Sequence, residues 1–309
     1  ELREAVADDI FKYRNVRVPA DNILIMPGGK PTMSFAIEMF GEADAEILYP
    51  NPGFPIYESM IHYSGAIPVP IPLREENGFS FKAEEVLSLI NDKTRLIILN
   101  SPANPTGGVA AKEELDTLVR GLARWPDAYI LSDEIYSRML YDGQSHHSLL
   151  SYPEIRDRLI ILDGWSKTYA MTGWRLGWGL WPEHLVPHIT RLCVNYHSCV
   201  NAAAQYAGIK ALTMDQGPVD EMMAAFDTRR LLVHERLNAL PGISCILPKG
   251  AFYAFANIRE SGRNSREIQE MLLEQHGIAT IAGTSFGVHG EGYIRLSYAN
   301  SVDNLNRAM

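Results

Sequence analysis

Leu159-Ile160-Ile161-Leu162-Asp163-Gly164-Trp165-Ser166-Lys167-Thr168-Tyr169-Ala170-Met171-Thr172-Gly173-Trp174-Arg175-Leu176-Gly177-Trp178-Gly179-Leu180 opens on an apolar strand-like run, Leu159 to Leu162, and closes on a second, Arg175 to Leu180. Between them glycines surround Lys167, and Arg175 follows that lysine by eight residues. An imine-forming lysine has to sit in a dry turn where its amine can lose a proton, with a fixed cation nearby to neutralise a phosphate. Lys167 and Arg175 fit the two roles, so the stretch can hold a phosphorylated aldehyde. Taken alone, the pair also reads as a solvated loop lysine and a surface strand arginine.

Outward from this stretch, apolar strand-like runs alternate with helical patterns. They are Ile23 to Met26, Glu46 to Tyr49, Ile67 to Ile71, Leu96 to Leu99 and Tyr129 to Leu131, besides the two already quoted. Alternation of this kind predicts an α/β fold. Candidate ligand residues fall just after these runs, at Gly28, Phe54, Asn104, Asp133 and Lys167, where open, mostly parallel sheets bind ligands.

Four segments supply further parts. In Ile23-Leu24-Ile25-Met26-Pro27-Gly28-Gly29-Lys30-Pro31-Thr32, a strand, a glycine turn and a helix start make an anion site from bare N–H groups. It matches neither the P-loop nor the dinucleotide pattern. Asn104 in Asn100-Ser101-Pro102-Ala103-Asn104-Pro105-Thr106-Gly107-Gly108 offers an amide to a phenolate oxygen, or is simply part of a turn. Asp133 in Ser132-Asp133-Glu134-Ile135-Tyr136 ends an apolar strand and would pair with a protonated ring nitrogen, making the ring an electron sink, or would cap a helix. Phe54, between turn residues in Pro52-Gly53-Phe54-Pro55, would stack on a flat ring or join the core.

Together these segments resemble the fold-type I, class I/II pyridoxal phosphate aminotransferases, of which aspartate aminotransferase is representative. The resemblance runs essentially end to end, and the motifs Asn104-Pro105-Thr106-Gly107, Ser132 to Tyr136, Ser166-Lys167 through Arg175, and Tyr293-Ile294-Arg295-Leu296-Ser297 stand in the family's order. It implies a three-layer sandwich with a mostly parallel central sheet and a smaller α+β C-terminal domain. It implies pyridoxal 5'-phosphate as cofactor, with Lys167 as the imine-forming lysine and proton shuttle. Asp133 would hold the ring nitrogen protonated, Asn104 and Tyr136 would bond the phenolic oxygen, and Phe54 would stack on the ring. Gly29 and Lys30, by their backbones, with Ser166 and Arg175, would take the phosphate. Arg295 would bind the substrate's α-carboxylate through its planar fork, Asn104 beside it.

By the same resemblance the reaction is a ping-pong transfer of an amino group from an L-α-amino acid, aspartate-like by family preference, to a 2-oxo acid. A C–S β-lyase on the same scaffold, or the non-catalytic aminotransferase-like sensor domain of a regulator, remains open at this point. A homodimer with its site near the subunit interface is also implied. The family carries an N-terminal arm ahead of the segment that Glu1 to Val6 resembles, and its C-terminal helix runs on beyond Met309, so the chain reads as part of a longer protein. The family's tyrosine that reaches the partner subunit's phosphate falls in that arm and is assigned to no residue.

A helical stretch from Val219 to Leu240 leads to short strands at Ser244 to Leu247, Ala251 to Ala256 and Tyr293 to Ser297 around a helix from Ser265 to His276. Turn residues at Asp215-Gln216-Gly217-Pro218 place a boundary there, giving domains at 1–216 and 217–309. The bonds Asn51-Pro52 and Asn104-Pro105 are expected to be cis.

With 309 residues, 46% hydrophobic and 21% charged, the chain has material for a large core. A formal charge of -9 argues against nucleic acid or a bilayer as a partner, since both select basic patches. Three cysteines, Cys193, Cys199 and Cys245, lack metal-ligand spacing and suit a reducing cytoplasm. No signal peptide and no run of eighteen apolar residues is visible. Gly283-Thr284-Ser285-Phe286-Gly287 matches a hydrolase elbow by letter only, because a strand follows where that motif needs a helix. His146-His147 is expected in an exposed loop with no carboxylate at ligand spacing, and no metal site is expected.

Overall fold

The computed structural model describes residues 1–309. Its helices are α1 (Leu2–Arg14), α2 (Lys30–Phe40), α3 (Ile56–Ser64), α4 (Ala83–Leu89), α5 (Lys112–Leu122), α6 (Trp165–Thr168), α7 (Val186–His197), α8 (Ala202–Thr213), α9 (Gly217–Asn238), α10 (Ser265–His276) and α11 (Val302–Ala308). The strands are β1 (Ile23–Met26), β2 (Glu46–Asn51), β3 (Ile67–Pro72), β4 (Thr94–Asn100), β5 (Tyr129–Asp133), β6 (Leu159–Gly164), β7 (Gly177–Leu180), β8 (Tyr253–Asn257), β9 (Ile281–Ala282) and β10 (Tyr293–Ser297).

The first seven strands form one sheet in the order β1-β7-β6-β5-β4-β2-β3. Pairing is parallel from β3 through β2, β4 and β5 to β6, and antiparallel where β7 inserts between β6 and β1. Only β7 therefore runs against the rest. Successive strand residues point to opposite faces, and the core records this alternation. Ile97, Leu99, Leu159 and Ile161 join α1, α4, α5 and α8 on one face. Leu96, Ile98, Ile160 and Leu162 join α2, α3 and α7 on the other. Helices cover both faces, which is why the central strands are nearly continuous apolar runs.

The remaining strands form a three-stranded antiparallel sheet, β8-β10-β9. It shares a third core with α9, α10 and α11. The helix α10 begins on a capping box, in which Asn264 accepts the Glu267 N–H at 2.9 Å and Glu267 accepts the Asn264 N–H at 3.1 Å.

Several boundaries differ from the sequence reading. Arg175 precedes β7 instead of opening it, because its backbone is left-handed, at φ 52°, and cannot enter a ladder. Ser244 to Leu247 is no strand beyond one bridge from Ser244 to Asn257. Asn238 takes up both polar backbone groups of Cys245, accepting its N–H at 3.0 Å and donating to its carbonyl at 2.9 Å, so no neighbouring strand is needed. The run from Ala251 pairs only from Tyr253, since Ala251 has φ 58°. Two-residue β9 carries too little pattern to be read in advance. The bonds Asn51-Pro52 and Asn104-Pro105 are cis, and so is Ser101-Pro102. Ser285 lies in a 3-10 turn that a second 3-10 turn follows.

Candidate active site

A cleft of about 370 Å³ lies at the carboxyl ends of β1, β2, β4, β5 and β6, bordered on its other side by Tyr253 of β8 and Arg295 of β10. It brings together every candidate residue: Gly29, Lys30, Phe54, Asn104, Asp133, Tyr136, Ser166, Lys167, Arg175 and Arg295. Asp133 is the last residue of β5; Gly29, Lys30, Phe54, Asn104, Tyr136, Ser166 and Lys167 lie in the turns or first helical turns after their strands, and Arg175 stands just ahead of β7.

Lys167 lies in α6, a single turn directly after β6. Its amine is 5.2 Å from the centre of the Phe252 ring and 5.8 Å from that of Tyr136. Burial lowers its pKa, as does the Arg295 charge, against the opposing pull of Asp133. A lysine so placed gives up its proton more readily than one in water.

Asp133 is 3% exposed and has no cationic partner. Tyr57 donates to its Oδ2 at 2.7 Å, and the Ile135 N–H to its Oδ1 at 3.2 Å. Burial still pushes its pKa up to about 6, because two neutral donors do not replace the lost hydration. Directly behind it, Arg14 of α1 donates to Glu134 at 2.8 Å and to Asp163 at 2.6 Å, tying α1 to the ends of β5 and β6. His146 stands 3.0 Å from Glu134 and its side chain is only 10% exposed. The expectation of an exposed His146 is thus corrected: a buried carboxylate draws it in, while His147 stays exposed. No group of three His, Cys, Asp or Glu side chains is arranged to hold a metal ion.

At Gly28, Gly29 and Lys30 the chain turns from β1 into α2, whose first turn has no side-chain cap. Pro31 has no N–H and the Thr32 N–H is bonded to the Gly29 carbonyl at 3.1 Å, which leaves Gly29 and Lys30 as the backbone donors of this turn, and both line the cleft with Arg175. Gly28 has φ 90°, a backbone strained for any other residue, and a Cβ there, 2.2 Å from Arg175 Nη2, would also push that guanidinium aside. The Arg175 guanidinium is steadied by the carbonyl of Thr172 at 2.9 Å and has no carboxylate partner. An uncapped helix start facing an unpaired guanidinium is a phosphate site in chemical terms. With a desolvated lysine and a buried, unpaired carboxylate in the same cleft, the donor set fits a phosphorylated pyridine aldehyde.

Arg295 donates from Nη1 to Asn104 Oδ1 at 2.9 Å, and its Nε is buried with no partner. Its guanidinium lies 4.5 Å from the Tyr253 ring centre and 4.8 Å from that of Phe286. Lys30 reaches over the Phe54 ring at 5.6 Å.

The sequence matches the family model described as Aminotransferase class I and II over residues 1–309. The chain belongs to the class I and II aminotransferases. It is 36% identical to the aspartate aminotransferase of Pyrococcus abyssi over 100% of the chain and 80% of that protein. It is 37% identical, with the same coverage, to the aromatic-amino-acid aminotransferase 2 of Thermococcus litoralis. The crystal structure of the aromatic aminotransferase from Pyrococcus horikoshii superposes with a TM-score of 0.95 at 35% identity, covering 99% of the chain and 83% of that structure. As an aminotransferase of this family the protein uses pyridoxal phosphate.

Reading the sequence missed three contributors to this aminotransferase cleft. Tyr57 of α3 is given no role by the sequence, yet its hydroxyl holds Asp133. Tyr253, read only as part of an apolar strand, borders the cleft, and its hydroxyl is 2.9 Å from that of Tyr136. Asn100 ends β4 and accepts the Asn104 N–H at 2.9 Å. Only Asn100, a polar residue closing an apolar strand, carried a signal in the sequence. No helix is long and apolar enough to cross a membrane.

Proposed function

We propose that the aminotransferase moves the amino group of an L-α-amino acid, aspartate-like acids foremost, to a 2-oxo acid in two ping-pong half-reactions. When bound, pyridoxal phosphate supplies the aldehyde that carries the amino group and a protonated ring that draws electrons from the substrate's α-carbon. Lys167 supplies the amine that bonds that aldehyde. Once substrate has displaced it, Lys167 moves the α proton between the substrate carbon and the cofactor's C4' carbon. Asp133 keeps the ring nitrogen protonated, its burial making it a strong acceptor toward that N–H. Asn104 and Tyr136 bond the phenolic oxygen, Phe54 stacks on the ring, and Gly29, Lys30, Ser166 and Arg175 hold the phosphate. Arg295 takes the α-carboxylate with the guanidinium edge that no protein group satisfies.

The observation that carries this reading is the desolvated Lys167 amine in one cleft with Asp133 and Arg295. The preference for an acidic substrate is supported by the Lys30 ammonium, which reaches the cleft without a carboxylate partner and suits a distal carboxylate. We also propose a large unit at 1–216 and a small one at 217–309, and a cytoplasmic homodimer. Three free cysteines support the compartment. Trp174 and Met214, each 52% exposed beside an apolar groove next to the Lys167 loop, support a subunit interface there.

The test is a visible absorption titration of the full-length holoenzyme with a panel of amino acids, beside Lys167→Ala. With dicarboxylic amino acids the visible band should give way to a shorter-wavelength one, and Lys167→Ala should lose at least ~10⁴-fold in turnover. A band that persists with every amino acid would overturn the transamination reading and favour a lyase or a sensor.

A further inference from the structure

Tyr253 opens β8 on the small sheet, and Tyr136 follows β5 on the large one. Their hydroxyl oxygens are 2.9 Å apart, their rings nearly perpendicular at 82°, and both side chains are buried. Neither hydroxyl has another partner in the protein. We propose that Tyr253 is a positioning residue for the reaction: its phenol donates to the Tyr136 oxygen and so commits the Tyr136 proton to the cofactor's phenolic oxygen. This rests on the role given to Tyr136 above.

Each phenol has one proton, so in the pair one donates and the other keeps its proton free. Arg295 decides between them. Its guanidinium lies over the face of the Tyr253 ring at 4.5 Å, where a cation draws electron density from the ring and makes its O–H the better donor. Tyr136, accepting that bond, becomes in turn a stronger donor toward the cleft, since linked hydrogen bonds polarise one another. The other titratable groups facing Tyr136 are Asp133, Tyr57 and Lys167. None offers its hydroxyl a hydrogen bond, which leaves Tyr253 as the partner that can orient it. Arg295 also donates to Asn104, so both groups proposed for the phenolic oxygen connect to the arginine proposed for the carboxylate: Asn104 directly, Tyr136 through Tyr253.

A donor to the phenolic oxygen lowers the basicity of the nitrogen that joins Lys167 to the cofactor, so the pH midpoint of the visible band reports on this chain. Holoenzymes carrying Tyr253→Phe, Tyr136→Phe and both would be titrated spectrophotometrically beside the parent. Tyr253→Phe keeps the ring and should raise the midpoint by about half a pH unit, the size of one ordinary hydrogen bond. Tyr136→Phe should raise it at least as far, and the double variant no further than Tyr136→Phe alone, because Tyr253 acts only through Tyr136. A parental midpoint in Tyr253→Phe while Tyr136→Phe is raised would overturn the proposal and leave Tyr136 in its role. Full additivity in the double variant would also overturn it, by giving Tyr253 a path of its own. An unmoved midpoint in Tyr136→Phe would remove the underlying reading of Tyr136, and the proposal with it.

Discussion

Arg14 and Arg295 carry the same guanidinium in two differently furnished places. Arg14, its side chain 3% exposed, meets two carboxylates, Glu134 and Asp163. Burial alone would lower its pKa, yet those two charges hold it above the ordinary arginine value. Arg295 meets an amide and two aromatic faces, has an orphaned Nε, and is held below the ordinary value by burial. In the first place the protein completes the cation; in the second it leaves a donor edge for something else to complete. Asp133 and Glu134 repeat the contrast as neighbours on one chain. Burial pushes both up, but His146 and Arg14 hold Glu134 well below the carboxylate range, whereas Asp133 stays up at about 6. Within this cleft, the groups left electrostatically incomplete are those assigned to a ligand.

Removing the completed cation should cost the most stability. Arg14→Met leaves buried Asp163 without a cationic partner and Glu134 with His146 alone, and is expected to destabilise the protein by about 3–5 kcal/mol, read by chemical denaturation. Adding Glu134→Gln and Asp163→Asn should recover part of that loss, since the penalty belongs to unpaired charge and not to missing volume. Arg295→Ala should do the reverse. Unfolding should barely change, while kcat/KM for amino acids falls roughly 10²-fold or more, the size of losing a charge-assisted pair to the substrate. A large stability loss in Arg295→Ala would erase the distinction between the two arginines.

Asp133→Asn tests the same idea through pH. Folding raises the Asp133 pKa from 3.8 to about 6, so the folded state holds this proton where the unfolded chain has released it. Its contribution is therefore favourable below pH 3.8 and is lost as pH rises through 6. At pH 8 the cofactor-free Asn variant should be more stable than the parent by up to about 3 kcal/mol, with the gain shrinking toward pH 5 and with activity abolished. The smallest effect belongs to a third arginine: Arg74, paired with Glu85 at 2.8 Å on the surface, should leave the unfolding midpoint unchanged as Arg74→Gln.

What could be read beforehand follows from the range of each signal. The strands β1 and β10 and the helix α10 match their expected bounds residue for residue, because apolar periodicity and caps are local. Most candidate ligand residues were legible for a related reason: Gly28, Phe54, Asn104 and Lys167 follow strand ends and Asp133 closes one, and parallel strands bring their carboxyl ends to one side. The relation of Tyr57 to Asp133 and of Tyr253 to Tyr136 spans 76 and 117 residues, and neither tyrosine differs locally from a core aromatic. The false strand at Ser244 to Leu247 failed through a side chain, Asn238, that satisfied the backbone in place of a neighbour.

The alternation of β6 between two cores has a consequence for how this chain tolerates length changes. Leu159 and Ile161 belong to one face, Ile160 and Leu162 to the other, and Lys167 comes a fixed number of residues later. A single-residue insertion would swap the two sets and turn each apolar side chain toward the wrong helices. A double insertion would restore the faces yet carry the lysine about 6–7 Å along the strand axis, out of reach of Asp133 and Arg295. The parity of the strand thus keeps the fold in frame, while its absolute length keeps the amine in frame. A change of length between Leu159 and Lys167 has to satisfy both counts at once.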